Sequence, residues 1–521
     1  MSNNLPYIIL GVIAMYFVLL TAISAWTTKK SSDNETFFLA NRKAPWFLVT
    51  IGLIGASISG VTFVSIPGKV GAAAGYNMAF SYLQLVFGYI LGYAVIALVL
   101  MPVYYRMNLV SIYTYLEERF GLRSYKTGAA FFLISRTLGS SLRMFLMVLI
   151  LQQFALDPLG IPIQVTAFVC IALVWFYTYK GGTQTILYTD VVLTFCFLLA
   201  VVLTIVSICS AMDKSFVEMT TMLWRSDYSK IFFFSNPLSD PNNFFKQFIS
   251  GALITITMTG MDQDLMQKNL ACKNIGEAQK NMFTFSGILL LVNILFLMLG
   301  GFLYIYASTY GIELPTRTDL TYPTIALKHL STFSAVIFIV GIVGSTFSSS
   351  DSALTALTTS VCVDFFNFNK RINQINPGNH DYNEERIAVA QKKVMADLEK
   401  ERFKIHIGTA FVFYLFILIF AALNDSAIID SLFKTAGYTY GPLLGLFSFG
   451  MMTKRKIMDK WVPYICVAAP LLTYALVKLA ESQNMSIGFL ILLLNGLVAF
   501  AGLFAISKPA DPEVKDIEFQ I

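Results

Sequence analysis

Four serines in the segment GIVGSTFSSSDSALTALTTS, Ser345, Ser348, Ser349 and Ser352, are spaced i, i+3, i+4 and i+7. On a helix that spacing puts their hydroxyls on one face. Thr355 and Thr359 continue the stripe, and Asp351 lies beside it. A single serine can bond back to its own helix. A whole stripe with a carboxylate, inside an apolar run, is costly and points to function. Oxygen-only groups of this kind suit a hard cation that must replace its hydration shell. Asp190, in YKGGTQTILYTDVV, is a second candidate cation ligand, or else a boundary carboxylate balanced by Lys180. Arg136 and Arg143, in SRTLGSSLRMFLMV, stand seven apart and share a face. One can pair with an internal carboxylate while the other grips an anionic ligand group in a bidentate fork. Internal pairing of both is the alternative.

These residues need elements that hold them inside a membrane. Of 521 residues, 56% are hydrophobic and only 13% charged, and mean hydropathy is +0.66. A soluble domain carries about 25% charge, so much of this surface faces lipid. Thirteen apolar runs are long enough to cross a ~30 Å hydrocarbon core, at roughly 7–25, 47–68, 79–103, 126–153, 162–178, 184–209, 244–268, 281–308, 333–360, 404–423, 427–452, 460–480 and 485–506. All read as helices, because a helix satisfies its own backbone in lipid. The expected fold is an all-α polytopic membrane protein, one transmembrane domain over 1–506, with a cytoplasmic connector at 362–402 and a cytoplasmic tail at 507–521.

Charge sets the orientation. Lys29, Lys30, Arg42 and Lys43 follow the first run, and no basic residue precedes it. That order suits an uncleaved first helix with its N-terminus outside. Most Lys and Arg, and with them the net charge of +6, fall in the alternate loops that begin with 26–46 and in the tail, which puts the C-terminus inside. The basic balance is thus a membrane feature, not a nucleic-acid one.

Helices two to six (47–209) and seven to eleven (244–452) form two groups of five. An odd number per group makes them, if repeats, face opposite ways, and such inverted repeats place a site where their broken first helices meet. The first of these reads IGLIGASISGVTFVSIPG; the second reads SGALITITMTGMDQDLMQK, where Asp262 and Asp264 follow Gly260. Both carry the residues of a break.

Other chemistries find no support. In PGKVGAAAG, Val70 stands where a P-loop needs Ser or Thr. There is no nucleophile elbow, HExxH or Rossmann fingerprint, the six cysteines form no CxxC pair, and the three histidines have no close partners.

Taken together, GASISGVTF with its following Pro-Gly, MPVYYRMNLVSIYTYLEERFG, KGGTQTILYTD, GMDQDLMQKNLACKN, the serine-rich helix and GYTYGPLLGLFSFG resemble the sodium:solute symporter family over residues 7–506. That family includes sodium/glucose, sodium/proline and sialic acid symporters. The resemblance implies a LeuT-like core of two inverted five-helix repeats and no enzymatic activity. It implies a general sodium site at Gly55, Ile58, Ser345, Ser348 and Ser349, with Ala56 and Ser59 as the one-residue alternative. A second sodium site falls on Asp190, Ser348, Asp351 and Ser352, Asp351 being a carboxylate where the family usually has a hydroxyl. That match favours two coupling ions over one. Substrate contacts fall on Ser57, Ser59, Thr62, Gln84, Arg136 or Arg143, and Asp262. The implied function is sodium-coupled symport by a monomer in the cell membrane, of a carboxylated sugar such as sialic acid or another organic anion. A neutral sugar is the alternative, and proton coupling through Asp190 and Asp351 a further one.

Overall fold

The computed structural model describes residues 5–28, 44–71, 78–107, 109, 111–179, 182–368, 371, 384–423 and 427–509. Lys29, Lys30, Arg42, Lys43, Lys180 and all but the first residues of the tail lie outside them.

Every one of the thirteen apolar runs falls on helical backbone. Among the described residues, nine helices are long and apolar enough to cross a membrane, and one bent pair makes a tenth. The remaining three depart from the simple expectation for separate reasons. The helix Ile163–Thr178 has 16 residues, which at 1.5 Å per residue is about 24 Å, short of the hydrocarbon thickness. The run at 244–268 is interrupted. Ile428–Met452 is continuous over 25 residues but carries Asp430, Lys434 and an internal Pro442.

We number the helices that matter to the site. They are α1 (Leu5–Thr28), α2 (Trp46–Ser57), α3 (Gly60–Lys69), α4 (Tyr82–Val95), α5 (Leu122–Leu151), α6 (Ile163–Thr178), α7 (Gly182–Ala211) and α8 (Phe244–Thr255). They continue with α9 (Gln263–Asn269), α10 (Ile275–Thr309), α11 (Thr332–Ser360), α12 (Glu384–Leu423) and α13 (Ile428–Met452). The connector and the span after it, expected as separate units, share α12, a single 40-residue helix.

At the centre stands α11. Every residue from Gly341 to Ser360 is buried, and 78% of its most apolar window is covered, against 22% for the windows in α1 and α12. A helix covered on all sides can carry a polar stripe only if other elements supply partners. Those partners come from Tyr177 of α6, Asp190 of α7 and Lys268 of α9, with the bent pair packed closely alongside.

The bend between α2 and α3 is 58°. Ile58 (φ −87°, ψ 94°) and Ser59 (φ −91°, ψ 176°) are extended, so the helix stops for two residues and restarts. Glycine lets both halves approach α11. A Cβ on Gly55 would lie 2.4 Å from Ser348 Oγ and 2.6 Å from Thr194 Oγ1, and one on Gly60 would lie 2.2 Å from Thr346 Oγ1. The glycines of GASISG are thus the price of close approach.

The second break is built differently. After a π turn at Ile256–Gly260, Met261 leaves the helix, Asp262 is extended, and α9 begins. The Asp262 side chain caps α9 by accepting the Asp264 N–H at 2.9 Å. The Tyr104 hydroxyl donates to the Gly260 carbonyl (2.9 Å) and the Tyr113 hydroxyl to the Met261 carbonyl (3.0 Å). Gln263 Oε1 accepts the Ile112 N–H at 3.0 Å. The segment 104–113 therefore pairs backbone groups that the break would otherwise strand.

Candidate functional site

At the end of α2 the Ile54 carbonyl is taken by the Ile58 N–H, while Gly55, Ala56 and Ser57 end the helix, where carbonyls have no intrahelical partner. On α11, the Ser345 hydroxyl donates to the Ile342 carbonyl (3.2 Å) and the Ser349 hydroxyl to the Thr346 carbonyl (3.1 Å). Each hydroxyl that donates backward keeps its lone pairs. The Ser348 hydroxyl instead donates to Asp190 Oδ1 at 2.5 Å. The hydroxyls of Ser348 on α11 and Thr194 on α7 thus lie against Gly55 at the break.

One helical turn further along α11 the oxygens already have a cation. Lys268, near the end of α9, sends its ammonium into the group expected to surround an ion. Its Nζ lies 2.6 Å from Asp190 Oδ2, 2.6 Å from Ser352 Oγ and 3.3 Å from the Gly52 carbonyl. Both members of the Lys268–Asp190 pair are buried. Asp351 accepts the Tyr177 hydroxyl at 2.8 Å and the Ser352 N–H at 2.5 Å. Sequence reasoning missed Lys268 because it closes the run at 244–268 and reads there as a boundary residue. The available signal was the charge itself at membrane depth.

The two arginines separate cleanly. Arg136 is ion-paired to Asp264 and lies 3.9 Å from Asp262, all three buried. Asp262 also accepts the Tyr440 hydroxyl. Arg143 has no ion pair among the described residues, and its Nε has no hydrogen-bond partner there. It borders a cavity of about 90 Å³ at the first break, which Ser57, Ser59, Thr62, Arg136, Thr259 and Asn293 also line, with Tyr82, Tyr89 and Tyr93 on one wall. Four buried polar atoms on this cavity, Ser57 Oγ, Arg136 Nε, Arg143 Nε and Asn293 Oδ1, lack partners among the described residues. Buried polar groups are otherwise almost always bonded, so their convergence marks a place for a polar ligand.

Two expected contacts sit elsewhere. Gln84 is not among the cavity's lining residues: its amide nitrogen donates to the Asn242 carbonyl (2.9 Å), and its oxygen accepts the Phe233 N–H (3.1 Å). It ties down the segment before α8. Asp262 likewise spends its carboxylate on the second break rather than on the cavity.

Beyond Ile429 and Phe433 of α13, which line the cavity, lies a wider one of about 540 Å³, bordered by Lys69, Asn242, Asp430, Lys434 and Glu481. Phe433 and Phe489 meet edge-on across this boundary, centroids 4.9 Å apart, and Lys69 of α3 is ion-paired to Asp430 of α13.

Similarity to known proteins agrees with this geometry. The chain is 23% identical over 470 residues to the sodium/sialic acid symporter SiaT of Proteus mirabilis, covering 87% of this chain and 86% of that one. It is 24% identical to the sodium/sialic acid symporter NanT of Aliivibrio fischeri, covering 84% and 82%. In fold it resembles a solved, substrate-bound, outward-open Na+-coupled sialic acid symporter, with a TM-score of 0.75 at 20% identity over 96% and 99% of the two chains. Residues 37–456 match the sodium:solute symporter family, and the chain belongs to that family, multi-pass membrane proteins in which sodium is the coupling ion.

Proposed function

We propose that the protein moves a carboxylated sugar, of the sialic acid kind, together with sodium by alternating access, the cavity at the first break holding the solute. The observation that carries this reading is the contrast between the arginines. Arg136 is ion-paired to Asp264 and Asp262, whereas Arg143 lines the cavity with no ion pair among the described residues. A buried guanidinium without a counter-ion is costly, and a solute carboxylate would supply the counter-ion bidentately. The hydroxyls of Ser57, Ser59, Thr62 and the three tyrosines, and the Asn293 amide, suit the hydroxyls of a sugar ring. The sialic acid symporters among the relatives support the same solute class.

The sodium ion sits at the first break, where Gly55 and Ile58, with Ser345, Ser348 and Ser349, offer oxygens to it. Binding there ties α2 to α11 and shapes the solute cavity beside it. The core is a pair of inverted five-helix repeats whose first helices are the two broken ones; with three flanking helices the chain crosses the membrane thirteen times, the N-terminus outside. On that topology the wider cavity opens outward. Phe433 and Phe489 form its gate, and the Lys69–Asp430 pair latches α3 to α13 when the gate is shut. A cavity of about 90 Å³ is small beside the ~300–1,000 Å³ of sites for drug-sized ligands, so solute entry requires this gate to open.

Proteoliposomes loaded without sodium test the reading. An inward sodium gradient should drive uptake of labelled N-acetylneuraminic acid, and choline in place of sodium should abolish it. Uptake that persists in choline at fixed pH, or a neutral hexose taken up in preference to the acid, would overturn it.

A further inference from the structure

The structure disagrees with a second sodium ion. We propose that the ammonium of Lys268 takes the place such an ion would have among Asp190, Ser348, Asp351 and Ser352, a cation fixed to the protein, so that one sodium travels with each solute. This rests on the sodium reading above and settles what that reading leaves open.

The ligand set is already spent. An ammonium has three donors, and Lys268 directs them at Asp190 Oδ2, Ser352 Oγ and the Gly52 carbonyl, at 2.6, 2.6 and 3.3 Å. The other Asp190 oxygen takes the Ser348 hydroxyl at 2.5 Å. Asp351, which sits where a neutral ligand was expected, accepts from Tyr177 and from the Ser352 N–H. A sodium ion placed here would share oxygens with a neighbouring positive charge in a buried setting, where like charges repel strongly. It could enter only if Lys268 withdrew. The lysine has little freedom to do so, because every residue of α9 is buried. The stub is anchored at its end by Tyr105, whose hydroxyl donates to the Asn269 carbonyl at 2.9 Å, and by Asn281, which donates to Asn269 Oδ1 at 2.7 Å.

The position of Lys268 also explains why the chain can keep Asp190 at membrane depth. Asp190 needs a cation partner there; the lysine provides one throughout the cycle, whereas an ion would come and go. The sodium site at Gly55 and Ser349 shares only Ser348 with this cluster, so it stays available.

Equilibrium binding of radioactive sodium to the purified full-length protein, counted per chain, tests the proposal. The wild type should bind one ion, with a Hill coefficient near one. Lys268→Ala, which frees Asp190, should bind a second ion at millimolar sodium. Lys268→Ala combined with Asp190→Asn should return to one. Two ions on the wild type, or no second ion on a folded Lys268→Ala that still binds solute, would overturn it. The wild-type count decides by itself should the variant fail to fold. A wild-type count of zero would instead sink the sodium reading on which the proposal rests.

Discussion

The two broken helices solve one problem in opposite ways. At the second break, stranded backbone and charged groups are paired: Tyr104 and Tyr113 bond the freed carbonyls, Asp262 caps α9, and Arg136 neutralises Asp264. At the first, Ile58 and Ser59 are extended, and Ser57, Arg143 and Asn293 keep atoms beside the cavity that have no partner among the described residues. One break is a scaffold; the other is left open for a ligand to complete. Irregular backbone at membrane depth is tolerated where protein buries it or where it lines a cavity, and this molecule uses both options.

The arginines offer the largest test of that contrast. Arg136→Gln takes the ion-pair partner from buried Asp264, and breaking a buried pair from one side costs about 3–5 kcal/mol. The expected result is a sharp loss of thermal stability and of folded yield. Arg143→Gln removes a charge that has no ion pair among the described residues, so stability should hold or rise while acid binding disappears. Similar melting behaviour for the two variants would erase the distinction. Lysine should rescue position 143 poorly, as a point charge without the planar fork.

Next in size is the effect of membrane potential. One sodium with a monoanion carries no net charge, so accumulation should follow the sodium gradient alone, about tenfold for a tenfold gradient. A second sodium would raise the gradient contribution to about a hundredfold and add a net charge worth about 2.3 kcal/mol per 100 mV, roughly another 50-fold at −100 mV. Clamping proteoliposomes at zero and at −100 mV, with the same sodium gradient, separates the cases by steady-state accumulation.

Single hydroxyls come third. Ser348→Ala and Ser349→Ala each remove a candidate ligand at the first break, and a loss of about 1–3 kcal/mol weakens sodium binding roughly 5–150-fold. Ser348 should be the more sensitive, because it also donates to Asp190. Equal, wild-type sodium affinities in both would move the ion elsewhere. The smallest effect belongs to the scaffold. Tyr104→Phe leaves the Gly260 carbonyl unpaired, and should cost about 1–3 kcal/mol in stability with sodium affinity unchanged; a change in affinity would mean that the second break also takes part in binding.

Much of this was legible in the sequence because it depends on local pattern. Hydropathy located the nine apolar spans and the bent pair among the described residues, glycine and aspartate marked both breaks, and the serine spacing placed Ser345, Ser348, Ser349 and Ser352 on the central helix. What the sequence concealed are contacts between residues far apart in the chain. Nothing near Arg136 or Arg143 says which one meets Asp264, more than a hundred positions away. Lys268 meets Asp190 across 78 positions, and at the end of an apolar run a lysine reads as an ordinary membrane-edge residue. The family resemblance puts Gln84 among the substrate contacts, while its bonds to the Asn242 carbonyl and the Phe233 N–H make it a brace for the segment before α8. The motif around Tyr104 and Tyr113 was visible as a mark of the family, with no hint that it closes a break about 150 positions later.

The claim that the first break binds both solute and ion is tested most directly by acid binding to wild type and Arg143→Gln, measured with and without sodium. The wild type should bind N-acetylneuraminic acid only when sodium is present, and Arg143→Gln should bind sodium normally but no acid. Acid binding retained by Arg143→Gln, or unaffected by the removal of sodium from the wild type, would contradict the account.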